Sequence, residues 1–267
     1  MSPASCARPT FRGGTPGPLV VGATGVALFL LIWQWAAIRI DSENALPTLP
    51  AIAGALADLA QTAEFWTGIG MTLLLAMLGW LIAGVIGVAI GMLVGMSPVA
   101  HAATRVALEF LRPIPAIVIL PLVMTVLGPT AEMGVFLAVF GVALPIAAQT
   151  TAGVESVDPI MRNTARSFGL SPAEILIRVV LPGASPYIGT AMRVAAPVTL
   201  IMIVVAGLLG GAPGIGSALS VAQANGQIVV IFAYVLVLGF LGLLVQWATV
   251  RGERVLLHWH SAYRKES

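Results

Sequence analysis

The sequence predicts an all-α integral membrane protein with six transmembrane helices. Three observations predict it: an apolar composition, six apolar segments of membrane-crossing length, and basic residues gathered at one set of segment ends. Of 267 residues, 58% are hydrophobic and 9% charged, and mean hydropathy is +1.00. A soluble domain carries roughly 45–50% apolar and about 25% charged residues. So few charges cannot solvate the surface of a folded chain in water, so lipid must be the main solvent.

A bilayer core about 30 Å thick takes around 20 apolar residues per helix, because backbone groups in lipid must be satisfied inside the segment. The segments are 18–38, 69–96, 106–127, 133–150, 187–209 and 228–250. The first follows Arg8 and Arg12 but exceeds the roughly 7–15 residues of a secretion-signal core, so it reads as an uncleaved span. In the second, Gly87, Gly91 and Gly95 recur every four positions and leave one narrow face open to another helix backbone. Either a neighbouring span or a second copy fits that face. In the third, Pro113, Pro115 and Pro121 each lack a backbone donor and predict a bent helix. No charge occurs between Arg193 and Arg251, which leaves room for spans five and six joined by a glycine-rich loop, 210–227.

Six spans put both ends on one side. Twelve of the 13 basic residues fall on the side of the tails, 1–17 and 251–267, and of the fourth loop, 151–186. Only Arg39 lies opposite, near Asp41, Glu43, Asp58 and Glu64. The bias of basic residues toward the cytoplasm predicts a multi-pass bacterial inner-membrane protein with both termini cytoplasmic. Arg193 reads as an anchor at the base of span five.

Several functions are disfavoured. A net charge of +2 from 13 basic and 11 acidic residues is too balanced for nucleic-acid binding. Cys6 is the single cysteine, so no internal disulfide forms. His258 and His260 flank Trp259 in a basic tail and read as an interfacial segment, so no metal and no cofactor are expected. A phosphate-binding GxxxxGK[ST] loop needs a lysine, and the only one is Lys265. No nucleophile–base or paired-carboxylate constellation lies in a span, so the chain is not read as an enzyme. The span interiors carry no ionisable group, which argues against an ion-coupled secondary transporter; a non-transport membrane scaffold is the other alternative. Gln149, Gln223 and Asn225 are the polar residues that could face a pathway.

Loop 151–186 is too long for a simple connection and is punctuated like two short helices. Asp158 caps the first with Pro159 at its first position, and Gly169 ends it in a left-handed conformation. Ser171, Pro172 and Glu174 form a capping box for the second, whose apolar face is Ile175, Leu176, Val179 and Val180. Leu181 and Pro182 are expected to stop it. That stripe must be buried against the bundle or a partner.

Asn163, Thr164, Ala165, Arg166, Ser167, Phe168 and Gly169, followed after nine residues by Val179, Val180, Leu181 and Pro182, resemble the cytoplasmic EAA loop of binding-protein-dependent ABC importer permeases. That pattern is Glu-Ala-Ala, three residues, Gly, nine residues, then Ile-x-Leu-Pro. Ala165, Gly169, Leu181 and Pro182 match it; Asn163 and Thr164 depart. Leu46 to Pro50, Leu111 to Pro115, Gly153 to Pro159 and Arg178 to Ala184 are similar to the branch that handles sulfonates, nitrate, taurine, bicarbonate and aromatic or vitamin-precursor anions. A departure lies in span five, where an acidic residue is expected and Val205, Ala206, Gly207 and Leu208 stand instead.

The resemblance implies a type I (MetI-like) ABC importer permease fold with cytoplasmic coupling helices and a pathway for a small anionic solute. It implies three partners: a cytoplasmic ATP-binding-cassette ATPase dimer, a periplasmic or lipid-anchored substrate-binding protein, and a second permease copy in a homodimer amid membrane lipid. Ala165 and Gly169 are then docking positions and Phe168 and Leu170 apolar anchors. ATP closes the ATPase, the loop transmits the closure, and the spans alternate between inward-open and outward-open.

Overall fold

A computed structural model describes residues 18–40, 46–111 and 113–256. The chain enters through α1 (Pro18–Ile40), followed by a short helix absent from the sequence reading, α2 (Leu49–Ala60). Two polar ties fix this corner. Leu49 N donates to Gln34 Oε1 at 2.9 Å, and Trp33 Nε1 donates to the Pro47 carbonyl at 3.1 Å.

The second span, α3 (Ala63–Met96), has 34 residues, about 51 Å at 1.5 Å per residue. The third expected span is not one helix. It divides into α4 (Pro98–Leu111), a 3-10 turn (Ala116–Ile119) and α5 (Leu120–Leu127), with a 78° bend between the two arms. Pro113 and Pro115 withdraw backbone donors at the break, whereas Pro121 sits in the first turn of α5, where the missing N–H costs nothing.

Then come α6 (Ala131–Glu155), α7 (Pro159–Ser167), α8 (Pro172–Ile175), α9 (Leu181–Gly210), α10 (Ile215–Ala224) and α11 (Ile228–Leu256). Loop 210–227 therefore holds a helix, which its glycines concealed. Gly211 ends α9 at φ +73°, and Gly214 at φ +135° turns the chain into α10. The N-terminus of α10 is capped from another span: Thr72 on α3 accepts from Ile215 N at 2.9 Å and donates to the Gly68 carbonyl at 2.8 Å. The last helix also runs past residue 250, so Arg251, Glu253 and Arg254 are helical.

Helices α3, α6 and α9 form the centre, where Ala83, Val142, Ala143, Ile146, Ala191 and Ala195 bury one another. Small residues dominate because helices in lipid gain by close van der Waals approach. The glycine face of α3 decides its own partner. A Cβ on Gly87 would lie 2.7 Å from the Ala143 carbonyl oxygen, one on Gly91 2.5 Å from that of Ala147, and one on Gly95 2.7 Å from Val154 Cβ. All three glycines therefore face α6 of the same chain.

Candidate functional site

The region between spans four and five folds as a helical hairpin from local signals. Asp158 Oδ1 accepts from Ile160 N at 2.7 Å and opens α7. Gly169 closes it at φ +80°, with Leu170 N bonded to the Ala165 carbonyl at 3.2 Å. A Cβ on Gly169 would meet nothing within 4 Å, so the backbone conformation, not crowding, calls for glycine. Ser171 N donates to Glu174 Oε2 at 2.9 Å and Glu174 N to Ser171 Oγ at 3.4 Å, completing the capping box. The Glu174 carboxyl is held below the usual range first by the Ser171 N–H, then by the Ser171 hydroxyl, with Arg178 adding a smaller pull at 3.5 Å.

Leu181 and Pro182 do not stop the second helix. They begin α9, joined to α8 through a π turn, Leu176–Val180. The wider π turn absorbs the proline just after it, which has no N–H to return to the preceding turn. Loop helix and fifth span are therefore one continuous rod, with Pro186 and Pro197 inside it.

The hairpin's underside packs on its own bundle. Val154, Ala165, Ile175, Val180 and Ala184 are buried together, with Leu170, Leu176 and Val179 against them. Ala165 and Leu170 thus point inward. The Arg162 guanidinium donates to the Val154 carbonyl and ties α7 to the end of α6, while His101 Nδ1 on α4 lies 3.0 Å from Glu155 Oε1. On the outer side Asn163, Thr164, Arg166 and Gly169 are exposed, as are Leu181 and Pro182 at the start of α9. Phe168 is 79% exposed, and Ile160, Met161 and Ile177 are exposed too. The sequence reading missed those last three, although apolar residues among Arg162, Arg166 and Arg178 were the available signal. Gly87, Gly91 and Gly95 lie apart, in the α3–α6 seam.

A cavity of about 350 Å³ opens between α6 and α9, lined by Gly141, Pro145, Gln149, Thr190, Val194 and Val198 among others. Pro145 has no N–H for the Gly141 carbonyl, so that acceptor is released from the helix ladder at the cavity. No carboxylate is among the described lining residues. Gln223 and Asn225, by contrast, are exposed at the end of α10. Gly207 has a physical role: its Cβ would lie 2.9 Å from Gly216 Cα, so the α9–α10 contact leaves no room there for an acidic side chain.

Arg193 is more than an interfacial anchor. Its Nη1 lies 3.1 Å from Glu253 Oε2 on α11. Glu253 Oε1 also accepts from the Thr190 hydroxyl at 3.4 Å. The sequence reading, which ended span six at residue 250, missed this pair.

Residues 83–254 match the family described as the binding-protein-dependent transport system inner membrane component. The taurine transport system permease protein of Escherichia coli is 28% identical over 250 residues, 91% of this chain and 90% of that protein. The nitrate import permease protein of Synechocystis is 28% identical over 233 residues, 84% of each. The solved inward-facing MetNI methionine ABC transporter contains a chain of the same fold, with a TM-score of 0.61 at 21% identity over 71% of this chain and 94% of that one. A bacterial ABC transporter involved in import of the acidic polysaccharide alginate gives 0.62 at 14% identity, covering 88% and 94%. The chain belongs to the family of binding-protein-dependent transport system inner membrane components: a multi-pass, non-catalytic ABC importer permease that works with a separate ATPase and a substrate-binding protein.

Proposed function

We propose that two copies of this chain form the path by which a small anionic solute crosses the inner membrane, and that an ATPase dimer drives it by gripping the hairpin between α6 and α9. The observation that carries this reading is the exposed apolar group Ile160, Met161, Phe168 and Ile177 on a hairpin whose other apolar face is already satisfied. These residues sit among arginines, outside the apolar spans, so lipid does not explain their exposure. A protein partner does. Asn163, Thr164, Arg166, Gly169 and Phe168 supply the contact, Ala165 and Leu170 support it from beneath, and Leu181 and Pro182 pass the movement into α9.

The charge pattern supports cytoplasmic tails and a cytoplasmic hairpin. Aromatic and basic side chains pair at both ends of the bundle, Trp35 with Arg39 and Trp247 with Arg251, as at membrane interfaces. The cavity between α6 and α9 supports a small solute held by neutral groups, chiefly the Gln149 amide. Nitrate and taurine, which similar permeases handle by name, are the solutes to try first. ATP then biases the assembly between two states, and the periplasmic binding protein loads one of them.

The test is Gly169→Asp in vesicles carrying the full transporter. The chain should insert normally while uptake and the dependence of ATP hydrolysis on the binding protein are both lost. Normal uptake by the stably inserted variant removes the assignment.

A further inference from the structure

The Arg193–Glu253 pair lies at the interfacial end of the bundle, yet its carboxylate is shielded by the protein itself. At 1.5 Å per residue, Arg193 lies about 18 Å along α9 from Leu181, level with Glu253 in the last turns of α11. The Glu253 side chain is 3% exposed and that of Arg193 34%. A pair this shielded forgoes much hydration, and packed apolar residues would serve stability as well. What such a pair does supply is a defined geometry between the elements it joins. Here it joins α9, the rod continuous with the hairpin, to α11.

The surroundings leave open space beside that tie. A cavity of about 570 Å³ separates the same helices, lined by Ser185, Gly189 and Arg193 on α9, Thr249, Gly252 and Glu253 on α11, and Trp80 on α3. Close packing does not lock α9 to α11 across that space; side chains bridge it. Thr190, which donates to Glu253, also lines the separate cavity that holds Gln149. One carboxylate therefore connects the driven rod, the last span and the proposed solute cavity.

We infer that Arg193 and Glu253 are positioning residues for coupling: they make α11 follow α9 when the hairpin is pushed, and keep Thr190 oriented at the solute cavity. The inference rests on the reading that the ATPase grips the hairpin. It assigns the pair no contact with ATP.

The test uses the full transporter, permease with its ATPase and binding protein, in lipid vesicles. ATP hydrolysis is measured with and without the binding protein. Spin labels at Ile201 and Leu243, both exposed, in a Cys6→Ala background report the α9–α11 separation with and without nucleotide. Glu253→Gln and Arg193→Met should each lower the stimulation by the binding protein about five- to tenfold and broaden the label distance. The exchange Arg193→Glu with Glu253→Arg should restore both, which a role in bulk packing would not. Stimulation and distance unchanged in Glu253→Gln, or no rescue by the exchange, overturns the inference. Phe168→Asp separates the two readings. If it uncouples the ATPase while Glu253→Gln does not, the clamp is wrong and the hairpin reading stands; if Phe168→Asp stays coupled, the hairpin reading fails and the clamp falls with it.

Discussion

Gly91 on α3 lies so close to α6 that the Cβ it lacks would stand 2.5 Å from the Ala147 carbonyl oxygen and 2.5 Å from Thr150 Cβ. The seam is also bonded at this level, because the Thr151 hydroxyl reaches the Gly91 carbonyl at 3.2 Å. Backbone cannot retreat as a side chain does. Gly91→Ala should therefore push the two spans apart and cost about 1–3 kcal/mol, read as a lower thermal midpoint of the purified chain in detergent. Gly84→Ala is the control. Its added Cβ would meet the tip of the flexible Met192 side chain at 2.5 Å, which can swing aside, so its midpoint should fall less. Equal losses would contradict the seam.

The hairpin predicts a pH dependence through Glu174. Its capping contacts hold the carboxyl below the ordinary range, so the native state favours the ionised form. That contribution is fully present above the unfolded value of about 4.3 and is lost as pH falls through the folded one. A fluorescent label at the exposed Ile177 should report loosening of α8 only in acid. Glu174→Gln keeps the capping geometry and should remove the acid step; an unchanged step in that variant would show that another group titrates.

Gln149 carries the prediction about the solute. Gln149→Leu keeps most of the side-chain volume and removes the amide from the cavity between α6 and α9. Loss of one hydrogen bond present in the bound state should raise KM for the transported solute roughly tenfold with little change in kcat. Uptake of nitrate and of taurine by vesicles measures it. An unchanged KM for whichever of the two is carried would move the solute site elsewhere.

Local chemistry made the hairpin legible in the sequence. Asp158, Gly169 and the Ser171–Glu174 box act on backbone groups within three residues, and each does in the fold what its residue type predicts. Errors arose where a distant element overrides a local sign. Pro182 reads as a stop, but the preceding π turn makes room for it. Residues 210–227 read as a loop because the cap of α10 is Thr72, 143 positions from Ile215. Glu253 reads as tail because a charge ordinarily marks the end of a span, and its partner Arg193 lies on another helix. Periodicity likewise placed Gly87, Gly91 and Gly95 on one face but could not say what would cover it.

The central claim is that the hairpin between α6 and α9 faces the cytosol and is held there by the ATPase. Cys6 is the chain's one cysteine, so Cys6→Ala with Phe168→Cys yields a single reporter at an exposed position. In sealed right-side-out vesicles carrying the full transporter, a membrane-impermeant maleimide should leave position 168 unlabelled, and an internally delivered cross-linker should join it to the ATPase subunit. Labelling from outside, or a cross-linked product that lacks the ATPase, would contradict the account.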